Sequence, residues 1–193
     1  MTILGLPDVR SVLEGRAPLE LPGHEKWAAV AVLLREATSG PEVLFIRRAE
    51  HPTDPWSGHM AFPGGRQESG DASLLETAMR ETREEVGLDL SRQAEHIGQL
   101  DDLPAIARGK PQGTVIRPFV FEVHRQSPIR VQEREVAEAL WAPLLPLYRG
   151  EVDTVRPYQW QGTQIDFPAY DVGGRLVWGL TYQMLRSFFR ILG

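Results

Sequence analysis

The stretch "RETREEVG" (80–87) places Glu81, Glu84 and Glu85 three and four residues apart, just ahead of a glycine. At about 100° per residue, the three carboxylates share one sector of a helix. Like charges at these spacings cost about 0.2–0.5 kcal/mol each. They also occupy the last turns, where the helix macrodipole favours cations. Arg80 can offset part of this by pairing with Glu76 and Glu84 on either side. Three Glu on a helix ordinarily form a solvated acidic face. Here the helix follows a Gly-Gly turn and a proline-rich loop, so the cluster faces a shaped segment. Several carboxylate oxygens on one turn make a site for a hard divalent cation, with Mg²⁺ or Mn²⁺ preferred. A charge arrangement that violates local helix rules without structural compensation is where function is expected.

The elements that must hold this cluster are legible on either side of it. "KWAAVAVLLRE" (26–36) and "PEVLFIRRA" (41–49) are β-rich runs separated by a turn signal, which predicts a hairpin. "EHPTDPWSGHMAFPGG" (50–65), with three prolines and three glycines, predicts a long shaped loop with a short extended piece at 60–62. A helix is expected over 71–86. Ser73 and Glu76 form a capping-box pattern, with Asp71 as an alternative N-cap. Leu75, Ala78, Met79, Thr82 and Val86 make the apolar stripe, and Gly87 the stop. Strands are expected around "HIGQLD" (96–101) and "TVIRPFVFEV" (114–123), split by a loop "DLPAIARGKPQG" (102–113). "EVAEALWAPL" (135–144) and short aromatic-rich pieces come next, then an amphipathic helix over "GLTYQMLRSFFRIL" (179–192). Val9, Val12 and Leu13 make one short amphipathic turn near the start. Strands precede and follow an isolated helix without βαβ regularity, which indicates an α+β fold with a mixed sheet in a single domain over 1–193.

Bulk properties narrow the chemistry. In 193 residues, 42% hydrophobic and 24% charged, there is room for one sizeable core. The net charge of −5 gives nucleic acid or an anionic membrane no general attraction. With no cysteine, zinc-thiolate sites and thiol nucleophiles are excluded. No run of 18 apolar residues occurs, and Asp8, Arg10 and Glu14 interrupt the beginning, so a cytoplasmic location is expected.

"GGRQESGDASLLETAMRETREEVGL" (64–88) resembles the Nudix box, G-x5-E-x7-R-E-U-x-E-E-x-G-U with U apolar. Gly65, Arg80, Glu81, Glu84, Glu85, Gly87 and Leu88 match. Asp71 stands where the first Glu is expected, the spacer to Arg80 is one residue longer, and Thr82 takes an apolar position. These departures resemble the variant box of the coenzyme A pyrophosphatase branch, which begins F-P-G-G, here Phe62 to Gly65. "GTVIRPFV" (113–120), "VWGLTYQML" (177–185) and "VLFIRR…GHMAFPGG" extend the resemblance over most of the chain from about Trp27, leaving 1–25 as an N-terminal extension. One upstream departure stands out: Asp54 occupies the position of an Arg that the branch places four residues before Gly58.

The resemblance implies a Nudix-type mixed sheet sandwiched between helices and a metal-dependent hydrolase of a nucleotide-diphosphate small molecule. It implies Glu81, Glu84 and Glu85 as metal ligands, with the Gly65 carbonyl as a further one, and Arg80 as the residue that orients the cluster. The catalytic base stays open between Glu81, Glu84 and a residue on a downstream loop or strand. The implied reaction is cleavage of coenzyme A or its thioesters to 3′,5′-ADP and 4′-phosphopantetheine. ADP-ribose, dinucleotides or nucleoside triphosphates are the alternative substrates, and a nucleotide-binding module without turnover is a third reading. Arg47, Arg48, Arg66 and Lys110 are candidate phosphate partners, and His51 and His59 lie in the loop before the box, with His59 a candidate substrate contact. Trp56 can anchor that loop or stack on adenine. Tyr158, Trp160, Phe167, Tyr170 and Trp178 read first as core or homodimer contacts, and second as a ligand wall.

Overall fold

A computed structural model describes residues 5–193 except 24, 25, 53, 55, 108, 109, 125–127, 161 and 162, and it gives the backbone but not the side chain of Ala107 and Trp160. β1 (Lys26–Ala37) and β2 (Gly40–Arg48) form the expected hairpin, closing at Ala37 opposite Gly40. Their side chains alternate between two cores. Val32, Leu34, Val43 and Phe45 face one side, whereas Ala31, Leu33, Leu44 and Ile46 face the other. Two buried faces explain why these strands read as nearly continuous apolar runs.

The loop after β2 contains β3 (Met60–Ala61) and is followed by β4 (Gly64–Arg66), which pairs with β1. Next come α2 (Leu74–Val86), a short α3 (Leu90–Gln93) and β5 (Ala94–Gln99). The segment 102–113, expected as a loop, instead carries β6 (Leu103–Ala107) and the beginning of β7 (Lys110–Val123). Pro104 and Pro111 suggested a loop there. The outer part of this hairpin lies beyond the span of β7 that pairs with β1, and a sheet edge tolerates prolines.

β8 (Val136–Pro143) pairs with β2 and leads into α4 (Leu144–Tyr148). The main sheet runs β3-β2-β1-β7-β5, with β4 also on β1, β6 on β7 and β8 on β2. It is mixed because β1 and β7 are parallel while the other pairs are antiparallel. The late aromatic pieces form a separate three-stranded sheet, β9 (Asp153–Trp160), β10 (Thr163–Val172) and β11 (Arg175–Trp178).

α5 (Gly179–Leu192) ends the fold and buries Met184, Leu185, Phe188 and Phe189 in the first core. The N-terminal turn is a full helix, α1 (Leu6–Glu14), whose Leu6, Val9 and Leu13 enter that same core. On the opposite face, Ala78 and Val86 of α2 join Leu88 and Leu90 in the second core. The sheet is therefore sandwiched between α2 on one side and α1 with α5 on the other. No helix among the described residues is long and apolar enough to cross a membrane.

Candidate active site

α2 begins where its capping residues dictate. The Ser73 hydroxyl accepts the Glu76 amide at 3.2 Å, and Glu76 reaches back to the Ala72 amide at 3.0 Å. Glu76 is thereby occupied at the cap instead of pairing with Arg80. The helix ends at Gly87, which takes φ 72°. Between these stops the helix turns Ala78, Thr82 and Val86 inward, and this orientation separates the three carboxylates. Glu85 is buried at 3% exposure, Glu81 is half-buried, and Glu84 points to solvent. The expected common sector is thus divided. Glu85 lies about 40° from Glu81 around the axis and about 100° from Glu84.

Glu81 and Glu85 meet Glu135, which lies on the turn just before β8, and one oxygen of each falls within 4.8 Å of the others. The Gly64–Gly65 strand holds the two helix carboxylates. Gly64 donates its amide to Glu85 Oε2 at 2.8 Å. It adopts φ 150° so close to β1 that an added Cβ would lie 2.6 Å from Val30 Cα, and one at Gly65 would lie 2.5 Å from the Glu81 Cδ. Only a strand without side chains can approach both β1 and α2 this closely.

Burial pushes Glu85 up to about 8, opposed by the Gly64 amide and the charge of Arg48. Burial also raises Glu81, opposed by Arg80. Carboxylates held together at this cost suit a bound cation, which favours their charged forms. An all-oxygen donor set fits a hard divalent ion.

Arg80 organises the outer side of the cluster. Its Nε and Nη2 donate to the two oxygens of Asp71 at 2.9 and 3.0 Å, and its Nη1 lies 3.0 Å from Glu81 and 3.1 Å from Glu84. Nη2 also donates to the Arg66 carbonyl at 3.1 Å. Asp71, expected as an alternative N-cap, is instead the carboxylate that fixes Arg80. Its side chain is 6% exposed, and Arg80 holds its pKa well below the usual carboxylate range.

A depressed folded-state pKa stabilises the protein above the unfolded value of about 3.9, and that contribution fades as pH falls through the folded value. Asp71→Asn is therefore expected to lower stability at pH 7 by about 1–3 kcal/mol. The Tm gap to wild type should shrink below about pH 4. A gap independent of pH between 7 and 3 would assign the loss to packing and not to the Arg80 pair.

The three carboxylates lie in a cleft of about 670 Å³, between the main sheet and the junction of β11 with α5. Its wall includes Arg48, Asp54, Trp56, Arg66 and Trp178. A NUDIX domain model matches residues 25–161, most of the chain. The chain belongs to the Nudix hydrolase family.

The mitochondrial coenzyme A diphosphatase NUDT8 of Homo sapiens is 31% identical over 175 residues, which cover 89% of this chain and 71% of that protein. The uncharacterized protein C14C4.10c of Schizosaccharomyces pombe is 43% identical over 119 residues, covering 61% of this chain and only 36% of that protein's length. Among solved structures, a MutT/nudix family protein from Enterococcus faecalis shares the fold with a TM-score of 0.55. It is 18% identical and covers 99% of this chain and 76% of its own.

Within this Nudix framework the remaining candidates fall in different places. Asp54, at the branch's Arg position, accepts from Arg48 Nε and Nη2 at 3.0 and 2.7 Å and from the Trp56 amide at 3.0 Å. The exchange of Arg for Asp thus ties Arg48 into the loop. Arg66 is exposed at the cleft rim. Arg47 lies away from the carboxylates, 3.6 Å from Glu138. Burial and the charge of Arg156 push His59 down to about 4, so it is neutral at pH 7, and its ring lies 4.7 Å from that of Trp178. Lys110 is exposed on the β6–β7 hairpin. Tyr170 is core, whereas Trp178 lines the cleft with Tyr158 and Phe167 packed behind it. The side chain of Trp160 lies outside the described residues.

Glu135 was not legible in the sequence. It sits in the charged run "QEREV", and only the pairing of β8 with β2 brings that run to the cleft.

Proposed function

We propose that this Nudix chain hydrolyses the diphosphate of coenzyme A, and of its thioesters, to 3′,5′-ADP and 4′-phosphopantetheine in a Mg²⁺- or Mn²⁺-dependent reaction. The observation that carries the hydrolytic reading is the convergence of Glu81, Glu85 and Glu135 inside a cleft large enough for a nucleotide. The coenzyme A assignment draws on the NUDT8 likeness and on the F-P-G-G variant box with Asp71 engaged by Arg80.

Glu81, Glu85 and Glu135 would hold the cation, with the Gly65 backbone beside them. The bound cation would neutralise charge on the diphosphate and acidify the attacking water. Gly64 fixes the Glu85 carboxylate through its amide, and Arg80 fixes Glu81 from the opposite side. A carboxylate of the set takes up the proton of the attacking water. Trp56 offers a ring face for an adenine.

A second reading keeps the chemistry and changes the substrate to ADP-ribose, dinucleotides or nucleoside triphosphates. The Asp54–Arg48 pair favours it, because it removes a cation that the branch pattern places at the loop. Incubating the protein with coenzyme A and with that panel at millimolar metal, with products separated, tests both readings. Release of 3′,5′-ADP at the highest rate supports the first. Turnover confined to ADP-ribose or another non-coenzyme substrate supports the second. No turnover of any diphosphate leaves a binding module.

A further inference from the structure

A second cavity, of about 470 Å³, borders the carboxylate cleft and shares His59, Met60 and Trp178 with it. The carboxylate chemistry makes no use of it. Its wall carries three guanidinium groups, Arg47, Arg156 and Arg175, against the single carboxylate of Glu138. That carboxylate is already shared. Arg175 pairs with both of its oxygens, with Nε at 2.8 Å from Oε2, and Arg47 Nε lies 3.6 Å from the same oxygen. His59, neutral at pH 7, adds no charge. The cavity is therefore a concentration of positive charge in a chain whose net charge is −5.

Arg156 is its unusual member. Its Cζ stacks 3.7 Å from the centroid of the Trp178 ring, which fixes the plane of the guanidinium. Its Nη1 is buried and has no hydrogen-bond partner among the described residues. A buried donor of this kind costs stability, and a cationic one costs more. Such a group calls for an explanation, and a ligand that draws Nη1 toward the cavity supplies one. An oriented guanidinium lining the cavity, flanked by two further arginines, matches the oxygens of a phosphate monoester better than any neutral group. The charge of about −1.5 to −2 on a monoester at neutral pH also matches the surplus.

We infer that Arg156, held on Trp178, anchors a subsite for a phosphate monoester carried by the substrate apart from the diphosphate that is cleaved. The inference rests on the diphosphatase reading and sharpens its substrate class to 3′-phosphorylated adenosine diphosphate derivatives. In coenzyme A the 3′-phosphate and the 5′-diphosphate are borne by one ribose, so the two sites must adjoin. The shared wall of His59, Met60 and Trp178 provides that adjacency.

The test compares coenzyme A with dephospho-coenzyme A, which lacks only that phosphate, in wild type, Arg156→Gln and Arg156→Lys. Alongside, calorimetry without metal compares binding of 3′,5′-ADP with 5′-AMP. Wild type should prefer the phosphorylated member of each pair by about tenfold or more, mainly through KM in the kinetic pair. Arg156→Gln should reduce both ratios to within about twofold, and Arg156→Lys should restore part of them. Equal handling of both members by wild type overturns the inference without needing any variant to fold. A preference that survives Arg156→Gln overturns it as well. Failure of the diphosphatase reading looks different: neither coenzyme is cleaved, yet 3′,5′-ADP still binds with Arg156-dependent preference, and the subsite then stands alone.

Discussion

Glu85→Gln is expected to lose about 10³-fold or more in kcat while its metal-free Tm stays level with wild type or rises. The two effects have separate causes at one side chain. Glutamine preserves the size of the group and an oxygen that accepts the Gly64 amide, now 2.8 Å from Glu85 Oε2, so β4 keeps its contact with α2. What it removes is a carboxylate that can carry a negative charge at 3% exposure, next to those of Glu81 and Glu135. Burial pushes that group up to about 8, so without a cation the fold bears the cost of keeping it protonated, a cost that a neutral amide does not carry. The same charge is what a divalent ion requires. Losing a ligand that holds it sacrifices several kcal/mol of transition-state stabilisation, or about three orders of magnitude in rate. Thermal unfolding with and without millimolar Mn²⁺ separates the two causes, since a bound ion stabilises only the protein that binds it. Wild type should gain Tm with metal and the variant should not. If the variant unfolds in the absence of metal, Glu85 is a structural group and the cleft has another purpose.

Legibility in the sequence followed the range of the interactions. The β1–β2 hairpin, α2 and α5 were readable because periodicity, capping residues and turn glycines act within a few positions. For α5 the expected and observed bounds coincide at 179–192. The β6–β7 hairpin was hidden because its prolines signal a loop locally, and only its position at a sheet edge makes them tolerable. The partition of the acidic cluster was hidden for a similar reason. Helical spacing places three carboxylates in one sector, but packing of Ala78, Thr82 and Val86 decides which of them turn inward. Asp71 shows the same limit. Its place near the start of a helix suggests a cap, and its tertiary partner Arg80, nine residues on, gives it another role. Arg156 and Trp178 meet only after β9 and β11 have both paired with β10, so no local pattern reports them.

Glu135→Gln and Glu84→Gln form the sharper contrast, because spacing and geometry disagree about them. Spacing within the Nudix box nominates Glu84 as a ligand; convergence in the fold nominates Glu135. Glu84 has a side chain 49% exposed, and its Arg80 contact at 3.1 Å is an i,i+4 pair at the surface. Such pairs contribute about 0.3–0.5 kcal/mol. Its loss should therefore change kcat by no more than about threefold, which is about 0.7 kcal/mol in barrier. Glu135 brings the third carboxylate to Glu81 and Glu85 from a different element, anchored where its carbonyl accepts the Ala49 amide at 2.8 Å. Removing its charge should cost about 10²–10³-fold in kcat and weaken Mn²⁺ binding measured by calorimetry. The backbone anchor does not involve the side chain, so Glu135→Gln should keep the wild-type metal-free Tm. If Glu84→Gln proves as damaging as Glu85→Gln while Glu135→Gln is silent, the ion sits further out along α2 than the convergence implies. The cleft would then have to bring Glu84 inward on binding metal, which requires Arg80 to release it while keeping Asp71, Glu81 and the Arg66 carbonyl.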